Sequence, residues 1–245
     1  MKANTISIVG IGPGKEEMMT AEALQALEEA DLIVGYTVYV NLLGERFAGK
    51  EMRTTPMRQE KERCRICFEE AAAGKKVALI CSGDAGIYGM ASLMYEMGEA
   101  YPETELVVIP GITAAIGGAA VLGAPLGHDF CTISLSDLLT PWEVIEKRLT
   151  TAAYGDFVIA LYNPSSHRRG DYLKKACDVL LHVMDRERPC GYVENIGREG
   201  TKAVTCTLGE LRDAQVNMFT TVFIGSSGTE LIGGKLVTKR GYRIG

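Results

Sequence analysis

Short apolar runs alternate along the chain with polar, helix-forming stretches, and each such run predicts a buried β-strand. The predicted strands of the first half cover residues 6–9, 32–35, 76–80 and 106–109. Those of the second half cover residues 130–135, 156–162, 190–194, 202–207 and 220–225. Strands that alternate with helices predict an α/β fold, and the closely spaced late strands predict some antiparallel pairing.

A break at residues 123–127 divides this pattern into two halves. Gly123, Pro125 and Gly127 interrupt the periodicity there, as glycine and proline do at the boundaries of regular structure. We therefore expect two α/β domains. The N-terminal domain would cover residues 1–120 and carry the glycine-rich loops, and the C-terminal domain would cover residues 121–245.

Glycine-rich loops follow three of the strands predicted in the N-terminal half. They read G-I-G-P-G at 10–14, S-G-D-A-G-I-Y-G at 82–89 and P-G-I-T-A-A at 110–115. Glycine lets the backbone turn sharply and approach a ligand closely, and open α/β sheets bind ligands beyond the carboxyl ends of their strands. We therefore expect the three loops to converge on one site, with Thr20 capping the helix after the first loop.

The first loop does not fit a dinucleotide. The pattern G-x-G-x-x-G needs glycine where the chain has Lys15, and Pro13 has no N–H to offer a phosphate. Glu16 and Glu17 add negative charge where a pyrophosphate would lie. The loop suits a neutral or cationic ligand better, or it is only a tight turn. Asp84 in the second loop suits a ribose diol or an ammonium group, or it caps the following helix.

Bulk properties exclude several classes of function. The chain has 245 residues, 47% of them hydrophobic, and its net charge of −5 argues against general nucleic-acid binding. It has no apolar run near the roughly 20 residues that span a bilayer and no signal-peptide pattern. Seven scattered cysteines favour a reducing compartment. We therefore expect a cytoplasmic protein that binds neither nucleic acid nor membranes.

A locally basic segment stands out in this acidic chain. Residues 46–65 carry seven Lys or Arg and three Glu, which indicates either a solvated helix face or an electropositive rim for a polyanion. The same segment holds the pair Cys64 and Cys67, and no second pair follows at metal-site spacing. We expect these cysteines to be buried, and because the three histidines lack ligand spacing we expect no metal site.

Six motifs, in order and spacing, resemble the tetrapyrrole (corrin/porphyrin) methylase family along essentially the whole chain. They are V-G-I-G-P-G, S-G-D-A-G-I-Y-G, P-G-I-T-A-A, V-I-A-L-Y-N-P, G-Y-V-E-N and F-T-T-V-F-I-G. Residues 127–149, together with Y-N-P-S-S-H-R-R and V-T-K-R-G-Y, resemble one branch of that family. The branch methylates C17 of precorrin-3B or cobalt-precorrin-3.

This resemblance implies two α/β domains with an active-site cleft between them, a homodimer, and S-adenosylmethionine as cofactor with S-adenosylhomocysteine as product. The implied reaction is C17-methylation of the tetrapyrrole, coupled to ring contraction, in cobalamin biosynthesis. Carried over motif by motif, the implied cofactor-binding residues are Gly12, Pro13, Ser82, Gly83, Asp84, Ile87, Thr113, Ala114, Tyr162, Asn163, Gly191, Tyr192 and Thr221.

The implied substrate carries many carboxylates, so an acidic protein needs local basic groups to hold it. The candidates are Arg53, Arg58, Lys61, Arg168 and Arg169. Methyl transfer needs alignment and exclusion of water more than a strong base, whereas ring contraction moves protons. For that step the candidates are His128, Asp129 and Asp137, although a histidine beside a carboxylate is also a common structural pair.

Three alternatives stay open from the sequence. A methyltransferase of the same family would act on another corrin carbon or on a uroporphyrinogen. A dinucleotide-dependent oxidoreductase is disfavoured by Pro13 and Glu16. A non-catalytic tetrapyrrole carrier would bind neither a methyl donor nor a dinucleotide.

Overall fold

The computed structural model describes residues 4–166 and 170–243. The chain forms two compact units, residues 1–114 and 115–245. This division lies before the boundary expected at residue 120. The reason is that the helix of small residues, which begins at Ala114, packs on the sheet of the second unit. An added side chain at Gly118 would come within 2.9 Å of the Phe223 ring.

The first unit is built on a parallel sheet. Its strands are β1 (Thr5–Gly10), β2 (Leu32–Tyr36), β3 (Glu51–Thr55), β4 (Val77–Cys81) and β5 (Glu105–Ile109). Its helices are α1 (Ala21–Glu29), α2 (Thr37–Val40), α3 (Glu60–Ala72) and α4 (Ala91–Gly98), with 3₁₀ turns at Glu16–Met18 and Glu45–Phe47. The strand order is β3-β2-β4-β1-β5, with every neighbouring pair parallel.

Alternate residues of the central strands face two different helical layers, as strand geometry requires. In β1, Ile6 and Ile8 pack with Phe68 of α3 on one face of the sheet. Val9 packs with Leu27 of α1 on the other face. Thr20 caps α1 as predicted, because its hydroxyl accepts the Ala23 N–H at 3.1 Å.

The second unit is a mixed α/β structure. Its helices are α5 (Ala114–Leu122), α6 (Trp142–Tyr154), α7 (Tyr172–Leu180) and α8 (Leu208–Leu211). Its strands are β6 (Gly123–Ala124), β7 (Phe130–Ser134), β8 (Val158–Tyr162), β9 (Pro189–Glu194), β10 (Lys202–Thr207), β11 (Thr220–Ile224), β12 (Thr229–Ile232) and β13 (Lys235–Thr238). The predicted α/β class is confirmed in both units.

The larger sheet of the second unit has the order β10-β9-β11-β8-β7. Strands β7 and β8 are parallel, and the other neighbouring pairs are antiparallel, which confirms the predicted late antiparallel pairing. A smaller sheet has the order β12-β13-β6. In the part of the chain that the structure describes, no helix is long and apolar enough to cross a membrane.

Candidate active site

The loops that follow β1, β4 and β5 meet backbone to backbone at the carboxyl edge of the first sheet, as predicted. The Gly12 N–H donates to the Gly83 oxygen at 3.0 Å, and the Gly83 N–H donates back to the Gly12 oxygen at 2.7 Å. A Cβ at Gly111 would come within 2.2 Å of the Gly83 oxygen, and one at Gly10 within 2.6 Å of the Gly111 nitrogen. Glycine is therefore required at this three-loop junction because backbones touch there.

Asp84 ties two of these loops together. Its Oδ1 accepts the N–H groups of Gly86 at 2.8 Å and Ile87 at 2.9 Å, and its Oδ2 accepts the Gly111 N–H at 2.9 Å. Hydrogen bonds from backbone N–H groups to an ionised carboxylate are among the stronger ones. The structure thus shows a loop-fixing role for Asp84, while direct contact with a ligand stays a prediction.

The tip of the second loop is apolar and exposed. Ile87 is 40% exposed and Tyr88 is 51% exposed. Tyr88 also has a φ of 55°, a conformation that non-glycine residues adopt rarely and that is concentrated at functional sites. The junction therefore combines a side-chain-free backbone surface with two apolar side chains that a ligand can contact.

The family resemblance implies further cofactor-binding residues in the first unit, and these lie next to the junction residues in the sequence. Gly12 has a φ of 71°, and a Cβ there would come within 2.6 Å of the Met18 oxygen. Pro13 and Thr113 are buried, whereas Ser82 and Ala114 are partly exposed. These positions agree with a shared site, and their contact with a cofactor stays a prediction.

In the second unit, the implied cofactor residues lie at the ends and in the middle of its larger sheet. The Tyr162 hydroxyl accepts the Ala115 N–H at 2.8 Å, which fixes this side chain at the start of α5. Asn163 has a φ of 53° and donates to the Ser134 hydroxyl at 2.9 Å. Gly191 and Tyr192 lie in β9, and Thr221 lies in the adjacent β11.

The three residues considered for ring contraction are not brought together. His128 and Asp129 precede β7 and are largely exposed, and the His128 Nδ1 accepts the Asp129 N–H at 2.9 Å. Asp137 follows the carboxyl end of β7, where its carboxylate accepts a hydrogen bond from the Tyr172 hydroxyl. A strand of this length is roughly 16 Å long, so the structure groups Asp137 with Asn163 and separates it from the other two.

Comparison with known proteins adds to this geometry. Residues 5–212 match the family model of the tetrapyrrole (corrin/porphyrin) methylases. The chain belongs to this family.

Individual members of the tetrapyrrole methylases are similar to this chain over nearly its full length. A probable cobalt-factor III C(17)-methyltransferase of Salmonella typhimurium is 46% identical, over 98% of this chain and 100% of the relative. A precorrin-3B C(17)-methyltransferase of a Sinorhizobium species is 40% identical, over 93% of this chain and 91% of the relative. The crystal structure of the methyltransferase CobJ has a TM-score of 0.89 and 38% identity, over 96% of this chain and 100% of that chain.

Most basic side chains of residues 46–65 have partners within the first unit. Arg46 pairs with Glu16 and Glu28, Arg53 with Glu51 and Glu70, and Arg65 with Glu62 and Glu69, while Lys50 donates to the backbone oxygen of Ala30. Among the described residues, Arg58, Lys61 and Arg63 have no ion pair. The structure therefore favours Arg58 and Lys61 over Arg53 as contacts for a polyanion. Arg168 and Arg169 lie outside the described residues.

The cysteine pair is buried in the core, as predicted. Cys64 and Cys67 face the cluster that contains Phe68, and all seven cysteines are free thiols. Burial raises the pKa of the Cys64 thiol to about 12 and that of the Cys67 thiol well above its usual range. In residues 4–166 and 170–243, no group of three or more His, Cys, Asp or Glu side chains is arranged to hold a metal ion.

Proposed function

We propose that this protein transfers a methyl group from S-adenosylmethionine to C17 of a precorrin-3-type tetrapyrrole, coupled to ring contraction, in cobalamin biosynthesis. The observation that carries the proposal is the three-loop junction fixed by Asp84. This junction occurs in a tetrapyrrole methylase. Two relatives that are 46% and 40% identical to the chain are named as C(17)-methyltransferases.

The junction fits a methyl donor that has a sulfonium cation and no phosphate. Its surface is largely backbone, Pro13 contributes no N–H, and the Asp84 carboxylate lies within it. The residues of the first unit that would hold the donor are those of the three loops. When bound, the donor supplies an electrophilic methyl group to an electron-rich carbon of the substrate.

The chain's own contribution to this step is alignment. Asp84 keeps the loop backbone in one shape, so that the donor is oriented before the substrate arrives. Ile87 and Tyr88 are exposed at the tip of the second loop, where they would contact the bound ligand and exclude water beside it. For the proton movement of ring contraction we favour Asp137, because it lies at the same strand edge as Asn163 and is held by Tyr172.

Anaerobic incubation with S-adenosylmethionine and either cobalt-factor III or precorrin-3B tests the proposal. Product masses should rise by one methyl group in place of hydrogen, and the preferred substrate shows whether the chain acts on the cobalt-containing form. Calorimetry should show binding of S-adenosylhomocysteine and none of NADH. No mass change with either tetrapyrrole, or binding of NADH alone, would refute the methyltransferase assignment.

We also propose a cytoplasmic homodimer. All seven cysteines are free, which fits a reducing compartment, and the homodimer rests on the family resemblance. Light scattering during gel filtration measures the mass directly, and a value near the 26.5 kDa of one chain would exclude the dimer.

A further inference from the structure

Arg63 is a buried guanidinium near the carboxyl edge of the first sheet. It lies near the start of α3, and only 4% of its surface is exposed. Its Nη1 approaches the Met90 sulfur at 3.1 Å, and its Nη2 donates to the Pro56 carbonyl at 3.1 Å and approaches the Thr55 carbonyl at 3.5 Å. Its Nε has no hydrogen-bond partner among the described residues. The side chain therefore touches the segments that follow β3 and precede α4.

Among the described residues, no carboxylate pairs with this guanidinium. In the part of the chain that the structure describes, no ion pair includes Arg63, although Arg53 and Arg65 of the same segment each pair with two glutamates. The guanidinium carbon lies 5.9 Å from the centre of the Tyr36 ring, which compensates the charge only weakly. A buried charge without a counter-charge is unfavourable for folding, and departures of this kind are concentrated at functional sites.

Two further cations, which form no ion pair within the described ranges, lie close by in the chain. Arg58 and Lys61 are exposed in and just after the turn that joins β3 to α3. Arg58 has a φ of 68°, and its N–H donates to the Glu60 carboxylate at 3.2 Å, which holds the turn in this conformation. Because Arg63 is surrounded by protein, its charge is screened by salt less than the exposed charges are.

We propose that Arg63 is a positioning residue for the polycarboxylate substrate, and this inference rests on the proposed function. Its unbalanced charge adds to the positive potential around Arg58 and Lys61, and its Nη2 anchors the Pro56 carbonyl from which the turn continues. The substrate's carboxylates supply the negative charge that the described residues do not place beside Arg63. Arg63 acts on the substrate indirectly, by holding the turn and by adding to the local positive potential. Arg58 and Lys61 contact the substrate's carboxylates.

The test compares Arg63→Met with Arg65→Met, which lies on the same helix and removes the same charge. Arg65 is exposed and already paired with Glu62 and Glu69. Absorbance titration with cobalt-factor III, without donor, should give a Kd about tenfold higher for Arg63→Met and unchanged for Arg65→Met. Arg63→Lys keeps the charge and should recover most of the loss. The Kd for S-adenosylhomocysteine should stay within twofold in all three variants.

Two results would overturn this role. Equal tetrapyrrole affinity in Arg63→Met and Arg65→Met would show that the buried charge does not act on the substrate. Equal losses in Arg63→Lys and Arg63→Met would show that the charge is irrelevant. If the methionine variant does not fold, Arg63→Gln makes the same comparison. Failure of the wild type to turn over tetrapyrrole would refute the proposed function itself, whereas normal wild-type turnover with equal variants refutes only the role of Arg63.

Discussion

A single carboxylate, Asp84, links loops that are far apart in the chain. Its two oxygens accept three backbone N–H groups, one of them from Gly111, which belongs to the loop after β5. The sequence left open whether Asp84 caps a helix or binds a ligand. The sequence alone does not distinguish these two roles, because the contact with Gly111 exists only once β4, β1 and β5 lie side by side.

We predict that Asp84→Asn weakens the affinity for S-adenosylhomocysteine by about tenfold or more. The amide lowers the strength of charge-assisted hydrogen bonds, each of which contributes roughly 1.5–3 kcal/mol. Calorimetry on the purified variant measures the change. Asp31→Asn is the matched control, because the Asp31 carboxylate accepts the Lys76 N–H at 2.8 Å at the opposite edge of the sheet. A normal Kd in Asp84→Asn would exclude Asp84 from donor binding.

Among the secondary-structure elements, strands with apolar or β-branched sequences are predictable, including the partly exposed β5 and β10, whereas the polar edge strand β3 is not. Strands β1 and β4 are buried because helices cover both faces of the sheet, so their sequences are mostly apolar. Strand β3, Glu51–Thr55, is a mostly exposed edge strand with a polar sequence, and the charge pattern of this segment predicts a solvated helix face or a basic rim instead. Its position next to β2 follows from sheet pairing that the local sequence does not encode.

The sequence pattern does not predict the last hairpin, formed by β12 and β13, and the reason differs from that for β3. Strands β12 and β13 are short, and the residues of β12 after Thr229 are exposed, so no long apolar run marks them. A local signal was nevertheless present, since Gly233 and Gly234 both have positive φ, at 57° and 75°. Two adjacent glycines between short strands are typical of a tight hairpin turn.

The three-loop junction should tolerate no side chain at Gly111. A Cβ there would lie 2.2 Å from the Gly83 oxygen and 2.6 Å from the Gly10 oxygen, and neither backbone atom can move freely. We predict that Gly111→Ala loses S-adenosylhomocysteine binding by at least about tenfold while the chain keeps its helical circular dichroism. Gly49→Ala is the control, because nothing lies within 4 Å of a Cβ at that position. Equal donor affinity in the two variants would contradict the close packing of these loops.

The cysteines of α3 should be dispensable for catalysis. Cys64 and Cys67 are buried in the core of the first unit, and their raised pKa values keep both thiols protonated at neutral pH. We predict that Cys64→Ser with Cys67→Ser keeps the rate of methyl transfer within a few-fold of the wild type. Elemental analysis should find no stoichiometric zinc or iron in the wild type. Metal that is present in the wild type and absent from the double variant would show that the pair is a metal site.

For the molecule as a whole, its buried thiols should make stability fall in alkaline solution. Burial raises the pKa of Cys81 to about 11 and that of Cys177 to about 12, besides the shifts at Cys64 and Cys67. An unfolded thiol releases its proton near pH 8.5. Above that pH the unfolded chain binds fewer protons than the folded one, so the free energy of unfolding decreases as pH rises toward the folded pKa values.

Urea unfolding at pH 8 and pH 10 measures this effect. Each buried thiol contributes a decrease of at most about 1.4 kcal/mol per pH unit. The variant with Cys64→Ser and Cys67→Ser should lose less stability between the two pH values than the wild type, because the remaining titrating groups are the same. Parallel losses in the two proteins would show that these thiols are not protected from ionisation.

The overall charge of the protein opposes the binding of its proposed substrate. With a net charge of −5, the molecule as a whole repels a polycarboxylate, so attraction must come from local cations. Of the candidate cations predicted from the sequence, Arg58 and Lys61 are those that form no ion pair in the described residues, whereas Arg53 is engaged by Glu51 and Glu70. Ion pairs of exposed side chains contribute roughly 1 kcal/mol or less each and weaken as salt rises.

We therefore predict that Arg58→Ala with Lys61→Ala raises the KM for the tetrapyrrole about tenfold and leaves the Kd for S-adenosylhomocysteine unchanged. The control is Lys174→Ala with Lys175→Ala, which removes the same charge from side chains paired with Asp178 and Asp171. Raising the salt concentration should increase the KM of the wild type and of the control more than that of the Arg58 and Lys61 variant, because that variant has already lost the screened contacts. If all three proteins share one KM and one salt dependence, the substrate's carboxylates are held by other groups, and backbone N–H groups become the next candidates.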